Sequence, residues 1–230
     1  ETTKAGIVSP VLQPDVALLD AQLTVGLPPA ITAATGIDAM VHAIEAYTSA
    51  HRKNPISDML AREALRLLAG SIASATHDGH DLQARSNMLL GALLAGQAFA
   101  NAPVAAVHAL AYPLGGHFHI PHGLSNSLVL PQVLRFNAPL AADAYAELAP
   151  CIMGEAFTAG PSELVAEHLI CWLQNLIQEL GLPTRLRDCG VKESALELLA
   201  SDAMQQQRLL VNNPRPVTEQ DALAIYRAVY

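Results

Sequence analysis

From residue 28 onward apolar residues recur every three or four positions, Ala and Leu foremost, and this helical period does not revert. The spacing predicts helices over Pro28 to Ala34, Ile37 to Thr48, Ser57 to Ser74, Leu82 to Asn101, Ala105 to Leu114, Gly123 to Asn137, Ala141 to Met153, Ser162 to Leu180, Lys192 to Asp202 and Thr218 to Val229. Their starts carry capping chemistry: Asn54-Pro55 ahead of Ser57, Pro161-Ser162-Glu163, and the box Thr218-Glu-Gln-Asp221. Stops are expected at Gly115-Gly116, at Gly181 ahead of Pro183, and at Gly190. Before residue 28 the texture differs. Ala5 to Leu12 and Asp15 to Asp20 are short β-branched or leucine-rich runs bounded by Pro and Asp, which predicts strands. Two short strands make no stable sheet alone, so they are expected to complete a sheet whose other strands lie upstream of residue 1. The organisation expected is mainly α: residues 1–27 as terminal strands of an α/β domain, then residues 28–230 as one all-helical domain.

Composition narrows the function classes. With 51% hydrophobic and 15% charged residues the chain is expected to fold around a buried core. Every apolar run is broken by Gly, Pro or a charge before the roughly 20 residues that a membrane span needs, so no membrane is expected. A net charge of −8, with Lys and Arg scattered singly, argues against a nucleic-acid partner. Cys151, Cys171 and Cys189 are odd in number and lack C-x-x-C spacing, which suits reduced, mostly buried thiols and a cytoplasmic address. The chain opens on Glu1-Thr-Thr-Lys-Ala with no initiator Met, so it is expected to be the C-terminal part of something longer.

The nine histidines bring in candidate chemistry. Asp38 and His42 are four apart on a predicted helix, which stacks their side chains on one face about 5–6 Å apart at Cβ. One cation can bridge that gap, but Thr35-x-x-Asp38 also matches a capping box, and His42 between Val41 and Ala43 also suits a hydrogen-bonded core position. A second group holds His108 on an Ala-rich helix, His117 and His119 around Phe118, and His122 in the turn Pro121-His122-Gly123. One Asp and several His from three elements form a mixed O/N set that Fe²⁺ or Zn²⁺ accepts. His117 and His119 suit either a substrate pocket or a polar loop. His51, His77, His80 and His168 suit the surface, Trp172 the core, and Arg215 a role pinning the loop before the last helix.

These residues carry a resemblance. Gly36-Ile-Asp38-Ala-x-x-His42-Ala-x-Glu45-Ala-Tyr47, then His108-Ala-Leu-Ala-x-Pro-Leu-Gly, then Ile120-Pro-His122-Gly with Leu130-Pro131, is similar to the iron-containing (group III) alcohol dehydrogenases. The likeness extends to Pro14-x-Val-Ala-x-x-Asp20 near the start and to Asn213-Pro-Arg215 with Thr218-x-x-Asp221 near the end. It implies the metal-binding helical domain of a dehydroquinate synthase-like fold, with Asp38, His42, His108 and His122 as ligands of one Fe²⁺ or Zn²⁺. It further implies hydride transfer between an alcohol or aldehyde and NAD or NADP, and assembly into homodimers or larger homo-oligomers. Many members place a histidine four residues after the third ligand, where this chain has Tyr112; a phenol can still donate a hydrogen bond or relay a proton, so Tyr112 joins His108 as a candidate catalytic residue.

Nicotinamide binding needs backbone amides around a pyrophosphate, usually from a glycine-rich turn after a strand, and no such loop occurs in this sequence. The resemblance implies that this loop belongs to an N-terminal α/β nucleotide-binding domain, the expected partner, with Asp20 and Leu23 expected to touch the cofactor from the helical side. Maleylacetate reductase and glycerol dehydrogenase are rivals on the same fold. A helical metal-dependent phosphohydrolase is a rival from another class, although it calls for an adjacent His-Asp pair that the sequence lacks. A helical scaffold with merely buried histidines is a third.

Overall fold

The computed structural model describes residues 9–154 and 159–230. Nine helices are formed among the described residues: α1 (Pro29–Tyr47), α2 (Pro55–His77), α3 (Leu82–Asn101), α4 (Ala106–Phe118), α5 (His122–Met153), α6 (Ser162–Glu179), α7 (Leu196–Ala203), α8 (Gln207–Leu210) and α9 (Glu219–Ala228). Helix α1 is the central rod and packs against α2, α3 and α5. Accordingly it is apolar nearly all round, with Ile37, Met40, Val41 and Ile44 fully buried. Helix α4 rests on α5 and α7, α6 lies along α5, and α7 pairs with α9. One hydrophobic cluster runs through all of these layers, from Ala33 to Val229.

Several boundaries differ from those the sequence predicts, each for a physical reason. Helix α1 runs unbroken through Gly36, because that glycine is needed for packing: a Cβ there would lie 2.7 Å from Ile72 and 2.8 Å from Met88. Asp38 is therefore mid-helix, and Thr35 Oγ1 donates to Ile31 O at 2.8 Å, which removes the capping role considered for Asp38. Helix α4 continues through Gly115-Gly116 to Phe118 and stops at His119, whose backbone is left-handed at φ 55. Helix α5 spans 32 residues through Pro131, Pro139 and Pro150, joining the two segments expected at Gly123 to Asn137 and Ala141 to Met153. An interior proline costs about 3 kcal/mol. Buried residues on both sides of Pro139, among them Val133, Leu134, Tyr145 and Leu148, anchor the helix to the core, and it continues across the proline.

Other elements follow the sequence closely. Asn54 caps α2, its Oδ1 accepting from Ser57 N at 3.0 Å while Ser57 Oγ accepts from Asn54 N at 3.2 Å. Thr218 and Asp221 form the expected box at α9. The stretch from Lys192 splits into a 3-10 turn (Glu193–Ala195) and α7, and the four-residue α8 is too short to show as a period in the sequence.

The first half of the first expected strand, residues 5–8, lies outside the described residues, and in the second half Pro10–Leu12 is a 3-10 turn. Residues 15–20 pair with nothing, and no strand occurs among the described residues, since a strand needs a neighbour for its N–H and C=O groups. Instead Asp20 caps a 3-10 turn (Ala21–Thr24), and Val16, Leu18 and Leu23 stand out into solvent. That segment is tied down at its end by the buried Arg85, which donates to Thr32 Oγ1 at 2.7 Å, Gly79 O at 3.1 Å and Leu27 O at 3.4 Å. Arg215 pins the loop before α9 as expected, donating to Phe136 O at 2.7 Å. Asn213 and Asn137 exchange amide hydrogen bonds beside it, at 2.7 and 3.0 Å.

The candidate metal centre

Two close approaches between helices build the site. A Cβ on Gly123 would sit 2.3 Å from Ala34 O, so α5 starts in backbone contact with α1, one turn before Asp38. His122, the first residue of α5, thereby meets Asp38 and His42 on α1, while α4 delivers His108 from the other side. Asp38 Oδ1 lies 3.8 Å from His42 Nε2, 3.6 Å from His108 Nε2 and 3.8 Å from His122 Nε2. One donor atom from each of the four residues falls within 4.8 Å of all the others. The His42 and His108 rings stack at 4.8 Å, and Phe99 of α3 covers the far face of His42 at 4.6 Å.

The surroundings fix these groups. His108 Nδ1 faces Glu45 Oε2 at 2.7 Å, and Glu45 also accepts from Ala105 N at 2.9 Å and Val107 N at 2.6 Å. Asn126, one turn beyond His122, donates from Nδ2 to Asp38 Oδ1 at 2.5 Å. The other ring nitrogen of His108, Nε2, is buried and has no hydrogen-bond partner. An imidazole nitrogen stranded that way costs about 1–3 kcal/mol unless something occupies the space before it. Three imidazoles and one carboxylate converging on that space suit a divalent cation.

The electrostatics point the same way. Burial pushes His42 down to about 4, so at neutral pH it is an uncharged nitrogen donor. Burial also opposes ionisation of Asp38, but the neighbouring imidazoles outweigh it and bring that carboxyl to about 2. For His108 burial again pulls downward, yet Asp38 and Glu45 outweigh it and raise the imidazole to about 9. An imidazole facing carboxylates on both sides marks a site that attracts positive charge.

All four residues that the resemblance implies as ligands meet at one point. Tyr112 is there too, one turn after His108, with its ring 5.9 Å from that of His122. His117 is drawn away by a hydrogen bond to Asp202 on α7, and His119 is an exposed helix end. His51, His77, His80 and His168 are exposed, and Trp172 packs against the core. The thiols differ from expectation: Cys171 is exposed, and Cys151 and Cys189 are half-buried. Glu45 stands in the motif, but nothing in the sequence links it to His108, 63 residues away. Asn126 is four residues past His122, a spacing that puts both on one face of α5, which starts at His122 and not at Gly123 as the sequence predicts.

The model of the C-terminal part of the Fe-containing alcohol dehydrogenase family matches residues 32–230. The chain belongs to that family. Membership in the iron-containing alcohol dehydrogenases takes the place of the phosphohydrolase and scaffold alternatives. The chain is 46% identical over 231 residues to long-chain-alcohol dehydrogenase 1 of Geobacillus thermodenitrificans, covering 100% of this chain and 58% of that protein. It is 41% identical to the 1,3-propanediol dehydrogenase of Klebsiella pneumoniae, covering 94% of this chain and 55% of the relative. A crystal structure of 1,3-propanediol oxidoreductase superposes with a TM-score of 0.88 at 40% identity, over 92% of this chain and 55% of that one. The chain therefore spans little more than half the length of these relatives, and among its described residues no single helix is long and apolar enough to cross a membrane.

Proposed function

We propose that Asp38, His42, His108 and His122 hold one catalytic Fe²⁺ or Zn²⁺, and that the chain is the metal-holding part of an NAD(P)-dependent alcohol dehydrogenase. The observation that carries this is the convergence of four donor atoms within 4.8 Å around the partnerless Nε2 of a buried histidine. When bound, the cation supplies Lewis acidity toward an alcohol or aldehyde oxygen, and a nicotinamide supplies the hydride acceptor. The chain's own residues do the rest. Asp38 brings the one negative charge of the set, leaving the centre net positive. Phe99 and the stacked His42 and His108 rings keep water from one side of the site. Tyr112, beside His122, takes the proton-relay position at the phenol oxygen.

Residues 1–27 belong, in this proposal, to the neighbouring nucleotide-binding domain, and residues 28–230 form the helical domain. The exposed Val16, Leu18 and Leu23 support such a neighbour, since side chains this apolar are costly to leave in water. Asp20 and Leu23 would then meet the cofactor. The complete enzyme acts on primary alcohols or diols, as the relatives' names suggest, in the cytoplasm and as a homodimer or larger assembly. Metal analysis after anaerobic loading tests the centre: one iron or zinc per chain is expected, with most of it lost in His108→Ala and His122→Ala. Full occupancy in both variants would refute the ligand set. Turnover of alcohols, diols and keto acids with each nicotinamide by the complete enzyme then separates alcohol dehydrogenase from the maleylacetate reductase and glycerol dehydrogenase readings.

A further inference from the structure

We infer that Glu45 is the positioning residue of this centre: it sets the tautomer and ring orientation of His108, and through them how tightly the four-residue site holds a divalent metal. The inference rests on the metal reading above and concerns a residue outside the four-residue ligand set. Glu45 lies on α1, three residues past His42, and is 3% exposed. Its carboxylate has no Lys or Arg partner among the described residues. Oε1 accepts from Val107 N at 2.6 Å, while Oε2 accepts from Ala105 N at 2.9 Å and faces His108 Nδ1 at 2.7 Å.

Both carboxyl oxygens already act as acceptors toward backbone N–H groups, and Oε2 facing Nδ1 is an acceptor there too, so the neutral, metal-binding form of the ring carries its one proton on Nδ1. That leaves the lone pair on Nε2, the nitrogen 3.6 Å from Asp38 Oδ1, inside the cluster. The same side chain also supplies the cap that α4 lacks: Ala105 offers no capping side chain, and the free N–H groups at the helix start point at Glu45. Their partial positive charge is what makes a buried acid tolerable there. One carboxylate thus fixes the start of α4 and the ring three residues further on. A cap alone would need neither the third donor nor its identity as a cluster histidine; the placement of His108 Nδ1 on Oε2 is the part that concerns the metal.

Glu45→Gln preserves the volume and replaces one oxygen with a donor. With its NH₂ at the Oε2 position it opposes Ala105 N–H and favours the Nε2–H tautomer of His108, which places a proton where a metal must bind. With the amide reversed it opposes Val107 N–H and shifts the start of α4. The test is Co²⁺ titration followed by its visible absorption, on wild type, Glu45→Gln, His108→Ala and the double variant. Glu45→Gln is expected to weaken Co²⁺ binding by roughly 10–100-fold and to change the band shape, with circular dichroism still helical. In the His108→Ala background the same change should cost about 2-fold or less, because the ring it acts through is gone. Unchanged Co²⁺ affinity in Glu45→Gln, or an equal loss in both backgrounds, overturns the inference.

Nitrogen NMR of the zinc-loaded wild type needs no variant: His108 should show a proton on Nδ1 and metal on Nε2, and the reverse assignment overturns the inference as well. Failure of wild type to take up Co²⁺ would overturn the metal reading and this inference together. Wild-type uptake that is insensitive to Glu45 overturns this one alone.

Discussion

Gly123→Ala puts the geometry of the site under direct test. A methyl group at this position would lie 2.3 Å from Ala34 O, 2.7 Å from Ala34 C and 3.2 Å from Thr35 N, all backbone atoms that no rotamer change can move aside. The first of these is roughly 1 Å inside ordinary contact, so α5 must retreat from α1 by about that much. Overpacking of this kind costs about 1–3 kcal/mol. For a domain of this size about 2–4 °C of Tm is lost per kcal/mol, so thermal unfolding of the metal-free chain should fall by roughly 2–12 °C. The retreat also carries His122 away from Asp38, now 3.8 Å apart, whereas metal bonds tolerate only about 0.2 Å of error. Zinc binding measured well below Tm should therefore weaken independently of the loss of stability. Gly96→Ala on α3 is the control: an added Cβ there meets nothing within 4 Å, and removing a helical glycine should raise stability by about 0.5–1 kcal/mol. A Gly123→Ala chain with wild-type Tm and wild-type zinc affinity would refute the claim that this crossing sets the ligand spacing.

Other perturbations probe separate parts of the molecule. Arg85→Met should lower stability by about 1–3 kcal/mol in urea unfolding, because Thr32, Gly79 and Leu27 lose the guanidinium that their oxygens share. Asn213→Ala strands the amide of Asn137 and frees Arg215 O from its bond, with a similar cost expected in the same assay. In the complete enzyme Tyr112→Phe should reduce alcohol oxidation by about 10²–10⁴-fold with metal content unchanged; full activity would remove the phenol from the proton path. Chelating the metal from loaded chain should lower the unfolding free energy by about 2.7 kcal/mol when free metal had stood at 100 times its Kd, and a calorimetric Tm that ignores the chelator would argue against a bound ion.

What the sequence could and could not show follows from how far apart the interacting residues lie. The pairing of Asp38 with His42 is local, one helical turn, and spacing alone shows it; the capping alternative rests on Thr35-x-x-Asp38 and fails because α1 runs unbroken through Gly36. That glycine is in fact a contact point for Ile72 and Met88, a fact that belongs to two other helices. The sequence predicts two helices on either side of Pro139, since a proline disfavours helix locally, and the packing that joins them into one is tertiary. His108 and His122 stand out in the sequence as members of a histidine cluster, the resemblance implies them as ligands beside Asp38 and His42, and the folded chain brings all four together. Glu45 has no local signal of its role toward His108, 63 residues distant; Asn126 has its spacing from His122 but none toward Asp38, 88 residues distant. The residues before Pro29 carried a strand pattern that has no partner within the described chain, so pattern and conformation part company there.

The unbroken α5 has a mechanical meaning. At about 1.5 Å per residue its 32 residues form a strut close to 48 Å long, with His122 at one end and Phe136 and Asn137 near its middle clamped by Arg215 and Asn213. A hinge at Pro139 would have let the two halves swing separately. The helix is instead continuous across Pro139, so its far end and His122, the first residue of the candidate cluster, belong to one element that touches α1 at Gly123.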